Sequence, residues 1–397
     1  MRHYNSSASR LLVTLLLGAT VFLAGVSASA ISPYRGIVAV DYLRMSASAY
    51  ALVTSISSLG TAVLSLVLGH FADHIYDRRF GVLGCAVFAG SAYMLIFLAP
   101  SQLNYVIAFC VVLPLGGALF SQTFSFSRVY YDRAQPVHAE FMMSALRTLY
   151  SFAWVVAPAW VGWMASRYSV FSVFGAAASA QVALIVVFSS LFLIPKTKVG
   201  SATVQPANAI TAGGISAGRV VGIVGVSLLR VAIFLHLMTV PLVLTNNFHG
   251  SLRDVSLNVA VCAGLEIPFM LAWGYAAGRF SKELIIVLSG LLYALYLGLI
   301  YFARSVQDVL WLQGLNAMGT GALVSIPISY MQESIKGRVG LSTALFDMVT
   351  VLAQMVASAV FAIFSTQGNY IPVLQAAAVI SVLGAGAVSI SKVVRIA

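Results

Sequence analysis

Long runs of apolar residues, broken only by short clusters of charge and proline, constrain this chain more than any other feature. An apolar run longer than about 18 residues is the length of a helix that crosses a bilayer. Twelve such runs can be placed, at 11–40, 46–69, 80–99, 103–127, 139–165 and 170–194, then at 219–245, 254–277, 282–303, 306–332, 340–366 and 370–392. Only 8% of the residues are charged, against about 25% in a soluble domain, so the chain lacks the polar surface that water demands. The alternative spanning architecture, a closed β-barrel, needs alternating segments of about ten residues. Stretches such as 181–194 do not alternate. The expected fold class is therefore all-α integral membrane.

A rival reading of the first thirty residues is a cleaved signal peptide, from Arg2 and Arg10, the run from Leu11, and Ala28-Ser29-Ala30. Its removal would leave eleven spans and break the two-fold pattern below. With the N-terminus inside, only five basic residues face outward: Arg35, Arg44, Arg167, Arg253 and Arg304. Arg147 and Arg230 lie within spans, and the other fifteen of the 22 Lys and Arg fall on inward segments. This bias follows the positive-inside rule and puts both termini in the cytoplasm. The net charge of +11 is thus a topology signal. It forms no basic run with interleaved aromatics, which argues against nucleic-acid binding. Cys85, Cys110 and Cys262 fall inside spans without metal-ligand spacing and read as packing residues.

The Gly-, Ala-, Ser- and Thr-rich break at 195–218 divides the chain into a bundle at 1–194 and a second at 219–397. The halves echo each other. Gly69-His70-Phe71-Ala72-Asp73 begins the link between spans two and three, and Gly274-Tyr275-Ala276-Ala277-Gly278 the link between spans eight and nine. Ser144-Ala145-Leu146-Arg147 is likewise matched by Thr343-Ala344-Leu345-Phe346.

The first of these loops, with Gly69, Asp73, Arg78 and Arg79, resembles the signature of the major facilitator superfamily. Tyr76 stands where the signature has glycine, and Gly278 where the second copy would carry its acid. The resemblance implies two pseudo-symmetric six-helix bundles, a monomer, and a latch at Gly69, Asp73, Arg78 and Arg79; a charged loop that only sets topology is the plainer alternative. Further motifs resemble the bacterial sugar efflux transporters. They are Gly264-Leu265-Glu266-Ile267-Pro268, Leu315-Asn316-Ala317, Tyr330-Met331-Gln332-Glu333, Leu146-Arg147 with Ala153-Trp154 and Pro158, and Gln122 before Arg128.

A charge at mid-membrane costs about 2.5–3.5 kcal/mol and needs a partner or a wet cavity. Glu266 lies halfway along span eight and Arg147 well inside span five. The resemblance implies that these spans face each other, so Glu266 and Arg147 are expected to flank the transport path, with Glu266 as proton carrier; a permanent salt bridge is the structural alternative. Arg230 and Asp347 form a second possible pair. Gln122, Asn316 and Gln354 supply hydrogen bonds suited to a sugar, and Trp154 an aromatic face. His236 reads either as a ligand or as a helix-to-helix bond. No phosphate-binding loop, zinc-protease or serine-hydrolase motif occurs, so no cofactor is expected, and either a gradient supplies the energy or transport is downhill. The expected function is sugar export by proton antiport in the inner membrane of a bacterium. A multidrug antiporter is the alternative, and a membrane receptor or enzyme a distant third.

Overall fold

The structure, a computed structural model, describes residues 2–72, 77–194, 197–198, 217–334, 339–365 and 368–394. Side chains are described for these apart from 2–9, 66, 68–72, 332–334, 339–347 and 392–394. Hydrocarbon offers the backbone no water to bond, so each spanning segment must satisfy its own N–H and C=O groups. Among the described residues every element is accordingly helical, with no strand.

The spans are α1 (Arg2–Ile31), α2 (Ala47–Ala72), α3 (Arg79–Leu98), α4 (Gln102–Ala134), α5 (Ala139–Arg167) and α6 (Ser172–Ser189). They continue as α7 (Ala217–Leu242), α8 (Leu252–Ala276), α9 (Lys282–Leu299), α10 (Gln313–Ser334), α11 (Val339–Phe364) and α12 (Ile371–Val394). Nine are long and apolar enough to cross a membrane on the described residues alone; with α5, α10 and α11 the long helices are consistent with the expected twelve. The interbundle break expected at 195–218 lies outside the described residues except at Thr197, Lys198, Ala217 and Gly218.

By contacts the chain forms two compact units: Met1–Tyr34 with Ile56–Gln205, and Arg35–Ser55 with Pro206–Ala397. In the first, α1 packs on α5 and α6, and α3 on α6. Val13, Leu17 and Val21 recur every four residues along α1 and enter a core with Val82 of α3, Phe126 of α4, Leu146 of α5 and Phe188 of α6. Between lipid-facing helices apolar burial supplies little attraction, so close approach and hydrogen bonds decide packing. At Gly25 an added Cβ would sit 2.8 Å from the Ala153 Cβ and 2.9 Å from the Tyr150 carbonyl oxygen. Gln181 Nε2 donates to Ser27 Oγ at 3.0 Å, and that hydroxyl donates to the Ala177 carbonyl at 3.1 Å.

In the second unit α7 packs on α12 and α11, α9 on α12 and α10, and α8 on α10. Gly225 and Gly384 bring α7 and α12 together: a Cβ on either would meet the other's carbonyl oxygen at 2.8–2.9 Å. The segment Arg35–Ser55 belongs to this unit. Its Tyr50 ring meets Phe361 edge-on at 5.7 Å, and a Cβ on its Gly36 would lie 3.3 Å from the Met238 carbonyl oxygen.

The two halves end their first spans with one backbone device, repeated 205 residues on. A single wide turn, Val38–Tyr42 or Val243–Asn247, loosens the helix end. Leu43 N bonds Val38 O at 2.8 Å and Met45 N bonds Ala39 O at 2.9 Å; Phe248 N bonds Val243 O at 3.1 Å and Gly250 N bonds Leu244 O at 2.7 Å. A residue with positive φ follows in each copy, Arg44 at 57° and His249 at 51°. Ser46 and Ser251 then accept from the backbone N–H three residues on, at 3.1 and 3.3 Å, opening α2 and α8.

Candidate functional site

Four helices of the second unit place polar side chains at helical spacing on facing surfaces. Asn258, Cys262 and Glu266 form a stripe of i, i+4, i+8 positions along α8, spanning about 12 Å. Gln313, Asn316 and Thr320 repeat at i, i+3, i+7 on α10, while Tyr293 and Tyr296 come from α9 and His236 from α7.

These groups form one ladder. Gln313 Nε2 donates to Asn258 Oδ1 at 2.7 Å, to Tyr296 Oη at 3.2 Å and to the Val309 carbonyl at 3.2 Å. Tyr296 Oη and His236 Nε2 are 3.1 Å apart, a hydrogen bond that joins α9 to α7. Asn316 Nδ2 donates to Gln313 Oε1 at 2.7 Å and to Cys262 Sγ at 3.1 Å. Thr320 Oγ1 donates to the Asn316 carbonyl at 2.9 Å, and its side chain lies beside the Glu266 carboxyl. Pro268, two residues past Glu266, has no N–H and cannot bond the Gly264 carbonyl one turn back.

Burial makes this ladder costly unless its groups are bonded. Gln313, Asn316, Tyr293 and Tyr296 are fully buried, whereas Glu266 is half-buried. Two atoms have no protein partner among the described residues: Asn316 Oδ1 and the Tyr293 hydroxyl. The Tyr293 phenol is within electrostatic reach of Cys262 and Glu266. The site thus holds one buried acceptor and one buried hydroxyl without a protein partner among the described residues, near a carboxyl group.

The other expected residues are spread more widely. Arg147, on α5 of the first unit, is exposed and has no bonded partner among the described residues. Gln122 on α4 is buried, its Oε1 against Gly81 of α3. Trp154 meets the Tyr150 hydroxyl on α5, and the Tyr150 ring packs edge-on against Phe120 at 4.9 Å. In the second unit Gln354 Nε2 lies 3.4 Å from Met238 Sδ and 3.5 Å from Ser358 Oγ. Arg230 is half-buried on α7. Asp73 and the Asp347 side chain fall outside the described residues, and Gly69 lies on the last turn of α2.

The loop after α2 holds a buried ion pair that sequence reasoning did not single out. Arg79 Nη2 lies 2.6 Å from Asp77 Oδ2, and Arg79 Nε is 3.0 Å from both carboxylate oxygens. Arg79 also donates to the Leu191 carbonyl at 3.2 Å and to Thr197 Oγ1 at 3.1 Å, and its guanidinium lies 4.1 Å from the Phe192 ring centre. Burial pushes the Asp77 carboxyl up, but the hydrogen bonds and charge of Arg79, with Lys198 behind it, hold it below the ordinary carboxylate range. Arg78 donates to Ser125 Oγ at 2.7 Å. These contacts tie the start of α3 to α4 and to the segment after α6, inside the first unit.

Asn258, Tyr293, Tyr296 and Gln313 were also missed as site residues. A signal existed for part of the ladder: three polar groups at helical spacing on two otherwise apolar runs. Among the described residues no group of three His, Cys, Asp or Glu side chains could hold a metal ion.

Comparison with known proteins gives a consistent picture. The model of the Major Facilitator Superfamily matches residues 17–222 and again 222–394, once in each half. The chain is 27% identical to the Deinococcus radiodurans protein named "Putative sugar efflux transporter", over 94% of this chain and 95% of that protein. It is 27% identical to "Sugar efflux transporter A" of Dickeya chrysanthemi, over 78% and 77% of the two chains. It is 25% identical to the Escherichia coli K12 protein of the same name, over 83% of each. Among solved structures it resembles the nucleoside transporter NupG with a TM-score of 0.79 at 12% identity, over 96% of this chain and 98% of that one. The peptide transporter POT in complex with sulfate gives a TM-score of 0.76 at 13% identity, over 96% and 94%.

Proposed function

The chain belongs to the Major Facilitator Superfamily and is a multi-pass membrane transporter of small molecules, not an enzyme; on that premise we propose that it exports sugars or sugar-like compounds by alternating access, in exchange for protons. The observation that carries the reading is the polar ladder of α7–α10. A sugar hydroxyl both donates and accepts, and the ladder offers Asn316 Oδ1 to the first and the Tyr293 hydroxyl to the second. The names of the relatives agree with that chemistry.

Glu266 is the proton carrier in this reading. It is half-buried on α8 and lies beside the neutral side chain of Thr320. Arg147 is the mobile cation of the first unit. Asn316, Gln354, Gln122, Trp154 and Arg230, with Asp347, contribute to the path, while Gly69, Asp73, Arg78 and Arg79 serve as the latch. In this reading the protein acts as a monomer in the bacterial inner membrane; its charge bias supports placing both termini in the cytoplasm. No cofactor and no nucleic acid take part.

The deciding experiment is efflux of labelled sugars from loaded vesicles, with and without a pH gradient. Uphill sugar movement that collapses with the gradient is expected. Gradient-driven export of cationic dyes without sugars would replace this reading with multidrug antiport, which the aromatic group of Phe120, Tyr150 and Trp154 favours.

A further inference from the structure

The two segments that carry the repeated backbone device also enclose an open depression. It has a volume of about 590 Å3 and lies wholly within the second unit, between the segment Arg35–Ser55 and the turn joining α7 to α8. We propose that this depression is a second, shallow binding site for a neutral polyhydroxylated molecule, a vestibule for the substrate class of the transport path; the identification of that class rests on the sugar-export reading.

The lining chemistry selects this ligand. Asp41, Tyr42, Arg44, Thr245, Asn246 and Ser251 supply a carboxylate, a phenol, a guanidinium, an amide and two hydroxyls. Asn246 Nδ2 donates to the two Asp41 oxygens at 3.2 and 3.1 Å, and Thr245 Oγ1 donates to one of them at 3.4 Å. A carboxylate has about four acceptor positions, so Asp41 is held in place yet keeps capacity for a ligand hydroxyl. Arg44 is exposed and sits within electrostatic reach of Asp41. One acid and one base cancel, which disfavours an ionic ligand. A hard cation would require several oxygen ligands of like charge, and an apolar drug would find only Ile37 and Leu252 as aliphatic walls. Tyr42 is 48% exposed and offers its ring to the C–H face of a pyranose. The volume falls in the range of about 300–1,000 Å3 common to small-molecule sites. Arg44 on this lining holds a left-handed backbone, φ 57°, and such strain gathers at ligand clamps.

The test is protection from thiol labelling. Tyr42→Cys and, as a second variant, Leu252→Cys are labelled in vesicles with a membrane-impermeant maleimide, with glucose, lactose or sucrose present. At least one sugar is expected to slow labelling about threefold or more at both positions. Adding Asp41→Asn or Arg44→Gln should abolish that protection at Leu252→Cys. Leu103→Cys, exposed on the first turn of α4 in the first unit, should label at an unchanged rate. Labelling unaffected by every sugar, or slowed equally at Leu103→Cys, overturns the site. Wild-type efflux is measured in the same vesicles, which separates the two ideas. Protection without sugar efflux sinks the export reading and leaves the vestibule; efflux without protection does the reverse.

Discussion

The segments Val38–Tyr42 and Val243–Asn247 share one backbone, while the helices that follow them differ in chemistry. At the 205-residue offset Asn258, Cys262 and Glu266 correspond to Val53, Ser57 and Thr61 on α2. The caps Ser101 and Ser305, each accepting from the N–H three residues on at 3.1 and 3.2 Å, set an offset of 204 for the next pair. Gln313, Asn316 and Thr320 then correspond to Phe109, Val112 and Gly116 on α4. The first half thus repeats the path of the backbone without the ladder. The ion pair of Asp77 and Arg79 shows the converse, since Lys282 and Leu284 stand at its repeat positions. Geometry was copied and chemistry diverged, because helix packing needs small residues and bonded backbones, whereas a buried polar group is kept only where it has partners or a task.

The largest expected difference between the halves is functional. Glu266→Gln should lower gradient-driven sugar efflux at least tenfold and leave downhill exchange standing, whereas Thr61→Val at the repeat position should change efflux less than twofold. Uphill transport by Glu266→Gln that still follows the pH gradient would remove the proton role.

Stability comes next. Asp77→Ala removes the carboxylate partner of Arg79, which keeps the Leu191 carbonyl and Thr197 Oγ1, and should cost about 1–3 kcal/mol, read by denaturant titration in detergent. Its sign with pH is set by the depressed carboxyl. The pair's contribution is complete above the unfolded value near 3.9 and fades as pH falls through the lower folded value. The gap between wild type and variant should therefore shrink in acid. A gap that widened there would contradict the pairing.

Within the ladder, Asn316→Ala leaves Gln313 Oε1 without its donor and should cost about 1–3 kcal/mol. Val112→Ala, its repeat position, should cost about 1 kcal/mol through lost packing. Equal losses in thermal melts would erase the distinction between the halves. The smallest effect sharpens the likeness instead. Arg44→Gly and His249→Gly each relieve a left-handed residue and should stabilise by about 0.5–1 kcal/mol after the added chain entropy. A gain at one and a loss at the other would show that the two copies bear different strain.

Glu266 and Asn316 were legible as site residues because an ionisable or amide group inside an apolar run is conspicuous. Asn258 and Gln313 are equally polar but lie near span ends, where a polar residue is ordinary. Their importance comes from a 2.7 Å bond joining residues 55 apart. Tyr293 and Tyr296 were lost among 17 tyrosines, since only burial separates a site phenol from an interfacial one. Asp77 was passed over for Asp73, the acid that the family signature favours.

The sequence by itself determined the class of fold and the places where the chain crosses the membrane. Every backbone group in hydrocarbon must be satisfied within its own segment, and a run of apolar residues therefore states its structure locally. It also carried the duplication, in residues repeated about half a chain apart. Tertiary structure alone decided which helices meet and which polar atoms remain unpaired. Those outcomes depend on side-chain reach and close approach between distant segments, such as Gly225 against Gly384 or Asp41 against Asn246. No local pattern encodes them, because the energy belongs to the pair and not to either partner.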